Sequence, residues 1–308
     1  MRINTAQSFD AAIVQLQKRQ QAMSDAQTQL TSGKRVQRAS DDPAAAARAE
    51  RAMAAMARAE ASMRGLDVSR SMTMFTEAAL GDAGEMLQQA REVMVGAGNG
   101  SYSDNDRKSL AAKLAGLRGD LLSVANRSDG AGRYLFSGQG SNAPPLVDGP
   151  AGVVYAGTAG QLQASAGEAA MLTFDGDQTW LRAPDPANPG GVLSVFDVMD
   201  RLISELNTPG RPGPVISQSV TAGLRDLDAV AGNLSNWRAR AGESLVRADG
   251  IEGRLGQSKL DAQTERSKAE DLDMLAAISD FQAKQTGYDA ALRTYSIVQR
   301  MSLVDYLK

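Results

Sequence analysis

A mainly α-helical fold with an inserted β-rich domain is predicted by three observations: a heptad seam near each end of the chain, and a glycine- and proline-rich stretch between them. Stepping alternately three and four residues through 278–306 gives Ile278, Phe281, Gln285, Tyr288, Leu292, Tyr295, Gln299, Ser302 and Tyr306. That is the spacing of a helix that packs along one narrow stripe. The same stepping near the other end gives Phe9, Ile13, Leu16, Gln20, Met23, Gln27 and Leu30. A lone helix cannot bury such a stripe, so each terminal helix needs a partner, either the other terminus or another copy of the chain. The glutamines on the stripe weaken a two-helix seam and suit an assembly in which amides bond to several neighbours. An antiparallel coiled-coil stalk fits the periodicity equally well.

Composition narrows the function classes. Of 308 residues, 43% are apolar but only 5% are aromatic, and alanine and methionine supply much of the apolar count. Long, slim, closely packed helices use such a composition better than one thick core does. The 33 basic and 36 acidic residues are interleaved and leave a net charge of −3, so no basic patch tracks phosphates and nucleic acid is not an expected partner. The opening MRINTAQSFD has neither a basic segment nor an apolar one, and no run of about 18 apolar residues follows, so neither a cleaved signal peptide nor membrane insertion is expected. Cysteine and histidine are absent. This removes disulfides, thiol nucleophiles, Ser-His-Asp triads and His or thiolate metal ligands. Gly33-Lys34 lacks the earlier glycine of a phosphate loop, and Asp175 and Asp177 lack the later ligands of a calcium loop. No catalytic residue, metal or cofactor is expected.

In chain order, a first helix is predicted over 5–34, ending where Gly33 can take a left-handed conformation. In Ser40-Asp41-Asp42-Pro43, Asp42 can cap a new helix whose first position Pro43 fills without losing a needed donor. That helix carries Leu80, Ala83, Leu87, Ala90 and Met94, a large-small alternation that lets two axes approach, and stops at the GAGNG of 96–100. Ser103 and Asp106 form a capping box for a third helix with the stripe Leu110, Leu114, Leu117, Leu121 and Val124, so 43–128 reads as a helical hairpin. From 130 to about 192, short apolar runs at 134–136, 153–155, 171–174 and 179–181 alternate with turns and predict a small β-rich domain with a core of its own. A short helix over 195–206 and a break at 208–214 precede a long helix from Pro214, striped by Val220, Leu224, Leu227, Ala231 and Leu234, which runs on into the terminal seam.

Four segments carry a resemblance. The opening MRINTAQSF, LTSGKRVQRASDDPAAAARA at 30–49, NRSDGAGRYLFSGQGSNAPP at 126–145 and the ending YSIVQRMSLVDYLK at 295–308 resemble the hook-associated protein 3 family, the hook-filament junction proteins of the bacterial flagellin superfamily. Flagellins share the SGKR and DD elements but typically continue DDAAG where this chain has Asp41-Asp42-Pro43-Ala44, and usually end in a leucine-rich tail where this chain has SLVDYL. The resemblance implies nested, flagellin-like layers. These are an inner terminal domain over 1–38 and 267–308, a helical middle domain over 39–129 and 196–266, and an outer domain over 130–195. It also implies export through the flagellar type III pathway to an extracellular place on the flagellum. The implied partners are its own copies in a ring, hook-associated protein 1, flagellin, and an export chaperone at the C-terminal region. In that setting Phe9, Ile13, Leu16, Met23, Leu30, Ile278, Phe281, Tyr288, Leu292, Tyr295 and Tyr306 are expected to pack between subunits. A filament flagellin and, in a different class, a cytoplasmic coiled-coil scaffold or signalling protein remain the alternatives.

Overall fold

The computed structural model describes residues 4–140, 143–162 and 172–306. Most of them are helical: α1 Asn4–Ser32, α2 Pro43–Ala97, α3 Asp104–Ala125, α4 Val195–Asn207, α5 Gly213–Glu270 and α6 Met274–Tyr306. Two small antiparallel sheets interrupt the series, β1 Leu146–Gly149 with β2 Gly152–Tyr155 and β3 Ala183–Pro184 with β4 Val192–Leu193. The chain divides into two compact units, Met1–Glu60 with Gly256–Lys308, and Ala61–Leu255.

Within the Ala61–Leu255 unit, α2 and α5 run antiparallel. Their ion pairs show it: Arg70 to Asp249 and Glu252, both at 3.0 Å, Glu77 to Arg238 at 2.7 Å, and Arg91 to Asp228 at 3.0 Å. Beneath this ladder lie Leu80, Ala83, Leu87, Ala90 and Met94, all buried, so the large-small stripe is the buried face of α2. Gly223 on α5 leaves room for α4 and α2, since a Cβ there would fall 2.4 Å from Leu202 Cδ2 and 3.3 Å from Met94 Cε. α3 begins at the expected capping box, with Ser103 Oγ accepting from Asp106 N–H and the Asp106 carboxylate accepting from Ser103 N–H. It packs against α4. Buried residues of α2 and α3 share one cluster, and an open groove of about 600 Å³ lies between the two helices towards their common turn.

Three expectations for the insert change. The run 134–136 is a turn, with Tyr134 alone in an isolated bridge to Ser128, and 179–181 lies in a single π-helical turn, Asp177–Leu181. Asp175 drives that second change, because its Oδ1 accepts from the N–H groups of Asp177 and Gln178 and starts a helix where a β-turn is expected. Of the four runs, 153–155 forms part of β2, and Met171 of the third lies outside the described residues. Finally, the described residues of the insert form no separate core. Leu135, Phe136, Leu146, Phe174 and Trp180 are buried in one cluster with α2, α3, α4 and α5. Trp180 stacks on Phe196 of α4 and meets Phe136 edge-on, while Phe174 meets Trp237 of α5 edge-on. Four short strands cannot enclose these rings, so the helices complete the enclosure.

Candidate assembly interface

The unit built from both chain ends carries the seams. α1 and α6 lie antiparallel, pinned where Arg19 Nη1 donates to Gly287 O at 3.2 Å and where Leu272 N donates to Gly33 O at 3.0 Å. Gly287 admits the neighbour, since a Cβ there would stand 3.0 Å from Arg19 Nη1. Each seam is split lengthwise. Leu16, Met23 and Leu30 are half-buried, as are Phe281, Tyr288 and Tyr295, and both sets recur every seven residues. The companion rows, Ile13, Gln20 and Gln27 on α1 and Ile278, Gln285 and Leu292 on α6, are exposed. Ile13 and Leu292 are 41% exposed and Ile278 45%. Phe9, Gln299 and Tyr306 fall on α1 and α6, but their side chains lie outside the described ones.

Two helices can cover only one flank of each stripe. The other flank keeps apolar surface in water, extended by Val14, Leu275 and Ile297, all exposed. The described seam glutamines belong to this exposed flank. Gln20, Gln27 and Gln285 are therefore solvated in the single chain and would be desolvated only by further helices.

A joint holds the inner ends of the pair. Gly33 adopts φ +69° and its N–H reaches Gln29 O at 2.9 Å, ending α1 as the SGKR turn predicts. Arg35 N then donates to Glu270 O at 2.7 Å, Arg35 Nη2 to Ala269 O at 2.8 Å, and Lys34 Nζ pairs with Glu270 at 3.0 Å. Asp42 Oδ1 accepts from Ala45 N–H at 2.9 Å at the start of α2, while Oδ2 holds Arg35 at 3.3 Å. Pro43 is the first residue of α2. Backbone N–H of Ala45, then the Arg35 guanidinium, hold the Asp42 carboxyl below its ordinary value. Burial alone would raise Glu270, but hydrogen bonds from Lys34 and Arg266 outweigh it and the group is lowered.

The joint also corrects a boundary. The helix expected to run on into the terminal seam stops at Glu270, and α6 restarts at Met274 with Asp273 Oδ1 accepting from Leu275 and Ala276 N–H at 3.1 Å each. An Asp immediately before an apolar run is a capping signal, legible in Asp273-Met274-Leu275 but masked by the unbroken heptad that follows. Among the described residues no cluster of side chains suits a metal, and no helix is long and apolar enough to cross a membrane.

Comparison with known proteins places this geometry. Residues 3–141 match the model of the bacterial flagellin N-terminal helical region. The flagellar hook-associated protein 3 of Escherichia coli is 30% identical over 290 residues, spanning 91% of this chain and 91% of that protein. The chain belongs to the flagellar hook-associated protein 3 family. Its counterpart in Salmonella typhimurium is 28% identical over 314 residues, 98% of each chain. The crystal structure of flagellar hook-associated protein-3 from Legionella pneumophila shares the fold, with a TM-score of 0.64 at 18% identity over 71% of this chain and 98% of that one. Hook-associated protein 3 relatives are structural proteins of the flagellum, and their family ties this chain to the flagellum and to motility.

Proposed function

We propose that this chain is the subunit joining the hook-associated zone to the flagellin filament, and that it assembles through the exposed rows of its terminal helices. The observation that carries the reading is the lengthwise split of both seams, one row packed and one row of Ile13, Ile278 and Leu292 left in water. Copies arranged around a ring meet through unlike faces, and such a row on each terminal helix supplies them. In this arrangement residues 1–38 and 267–308 form the inner layer, 39–129 and 196–266 the middle layer, and 130–195 the outer one. The partners are its own copies, hook-associated protein 1 on one side and flagellin on the other. Export proceeds through the flagellar type III pathway, with a chaperone at the C-terminal region, and the subunit works outside the cell as a non-enzymatic component.

The test is Leu292→Asp. Because Leu292 is 41% exposed in the single chain, the variant should melt within a degree or two of the parent. In the ring the carboxylate would lose its water without gaining a partner, at a cost of several kcal/mol per subunit. Each ~1.4 kcal/mol weakens association tenfold. The expected outcome is a secreted but unincorporated protein, bare hooks, and flagellin lost to the medium. Ala290→Asp, exposed on the same helix but off the seam, should assemble. Normal filaments from Leu292→Asp, or equal failure of both variants, would remove the exposed row from the interface.

A further inference from the structure

Where the first turn of α3, the end of α4 and the start of α5 meet, a cavity of about 10 Å³ is lined by Asp104, Arg107, Glu205, Arg211 and Ser219 above apolar side chains of α2 and α5. Two buried polar atoms on the lining residues lack a hydrogen-bond partner among the described residues. Arg107 keeps only 10% of its side chain exposed; its Nη1 stands 3.6 Å from Asp104, and its Nε–H bonds to nothing. Glu205 Oε2 is likewise buried, with Arg211 Nη1 at 4.0 Å, an ion-pair separation beyond hydrogen-bond reach. A desolvated donor and a desolvated acceptor left this way would each be a penalty that native proteins rarely carry.

The chemistry of the wall selects the ligand. Two carboxylates and two guanidiniums balance, so the cavity favours neither an anion nor a cation. The volume of about 10 Å³ is small and sits near the lower limit at which a cavity holds a water. The occupant must be small, neutral, and able to accept from one side and donate to the other. We propose that one structural water fills the cavity, accepting from Arg107 Nε–H and donating to Glu205 Oε2. Two further bonds remain to it, and the Ser219 hydroxyl, which already accepts from Arg211 Nη1 at 3.3 Å, lines the same space. The water thereby joins α3, α4 and α5 where the 208–212 connection turns and where Gly210 N–H is held by Asp104 at 3.0 Å.

A crystal structure of the full chain that orders internal solvent tests this directly. A single peak within roughly 3 Å of both Arg107 Nε and Glu205 Oε2 is expected. A dry cavity, or a direct Arg107–Glu205 bond, overturns the proposal. In solution, the Arg107 Nε–H resonance should show a cross-peak to long-lived water in the parent and in Glu205→Gln, which keeps an acceptor, and should lose it in Glu205→Leu, which fills the space. A parent spectrum without that cross-peak overturns the proposal whether or not the leucine variant folds.

Discussion

Arg118 ties three elements together. From α3 its guanidinium donates to Asp200 of α4 at 2.8 and 3.1 Å and to Asp148 of β1 at 2.8 Å, with a second bond to Asp148 beside it, and its carbon lies 5.8 Å from the Phe196 ring centre. The fork geometry suits arginine alone. Arg118→Met leaves both carboxylates without their cation; because they are 43–44% exposed and can rehydrate, the expected loss is about 1–2 kcal/mol, less than a fully buried pair would cost. Thermal unfolding should fall by about 3–6 °C, with Arg118→Lys in between. An unchanged melt would mean that the cluster adds nothing to the fold. The same pair has a pH signature. Hydrogen bonding from Arg118 lowers Asp148 below its ordinary 3.8, so its contribution is complete above that value and disappears as pH falls through the lower folded one.

Helix α5 illustrates how one residue type acts oppositely along a single element. At Gly223 a methyl group would collide with Leu202 and Met94, which are both buried, so overpacking at about 1–3 kcal/mol outweighs the roughly 1 kcal/mol that alanine gains as a helix former. At Gly232 nothing lies within 4 Å of the added Cβ and the site is exposed. Gly232→Ala should stabilise by about 0.5–1 kcal/mol while Gly223→Ala destabilises, read from paired denaturant titrations. Equal signs would show that α5 does not pack at Gly223 as described. The joint between the chain ends responds to acid as an element. Asp42 and Glu270 are both lowered from their ordinary 3.8 and 4.5, so the joint keeps their contribution above those values and loses it as pH drops through the lower folded ones. Protection of the Arg35 amide, bonded to Glu270 O, should therefore fall in that range. Glu270→Gln should show reduced protection already at neutral pH. Protection independent of both would leave the backbone bridge as the sole tie.

At the scale of the whole molecule, the shared core decides what the insert tolerates. A separate outer domain would survive removal of 142–191, but that deletion takes Leu146, Phe174 and Trp180 out of the cluster that α2, α4 and α5 complete. Truncating one buried Phe or Trp costs about 3–5 kcal/mol, and a domain holds only about 5–15 in total. The deleted chain should lose the cooperative melt of the Ala61–Leu255 unit in calorimetry. A melt close to the parent's would mean that the helices close over the gap.

Helical identity, the caps at Asp42-Pro43 and Ser103, the stop at Gly33 and the stripes at the two ends are local or periodic properties, and the sequence alone determined them. The heptad spacing of Ile13, Leu16, Ile278 and Leu292 is likewise a property of the sequence, whatever these residues touch. Which row of each heptad is packed and which stays in water depended on the pairing of α1 with α6, and only tertiary structure decided it. The Lys34–Glu270 pair, 236 positions apart, was invisible for the same reason. The insert's turns and π-helical segment were settled by Asp175 and by rings that found their enclosure on distant helices. Burial against partners remote in sequence overrode local β propensity there, because a run of three or four residues gains more from a finished core than from its own backbone preference.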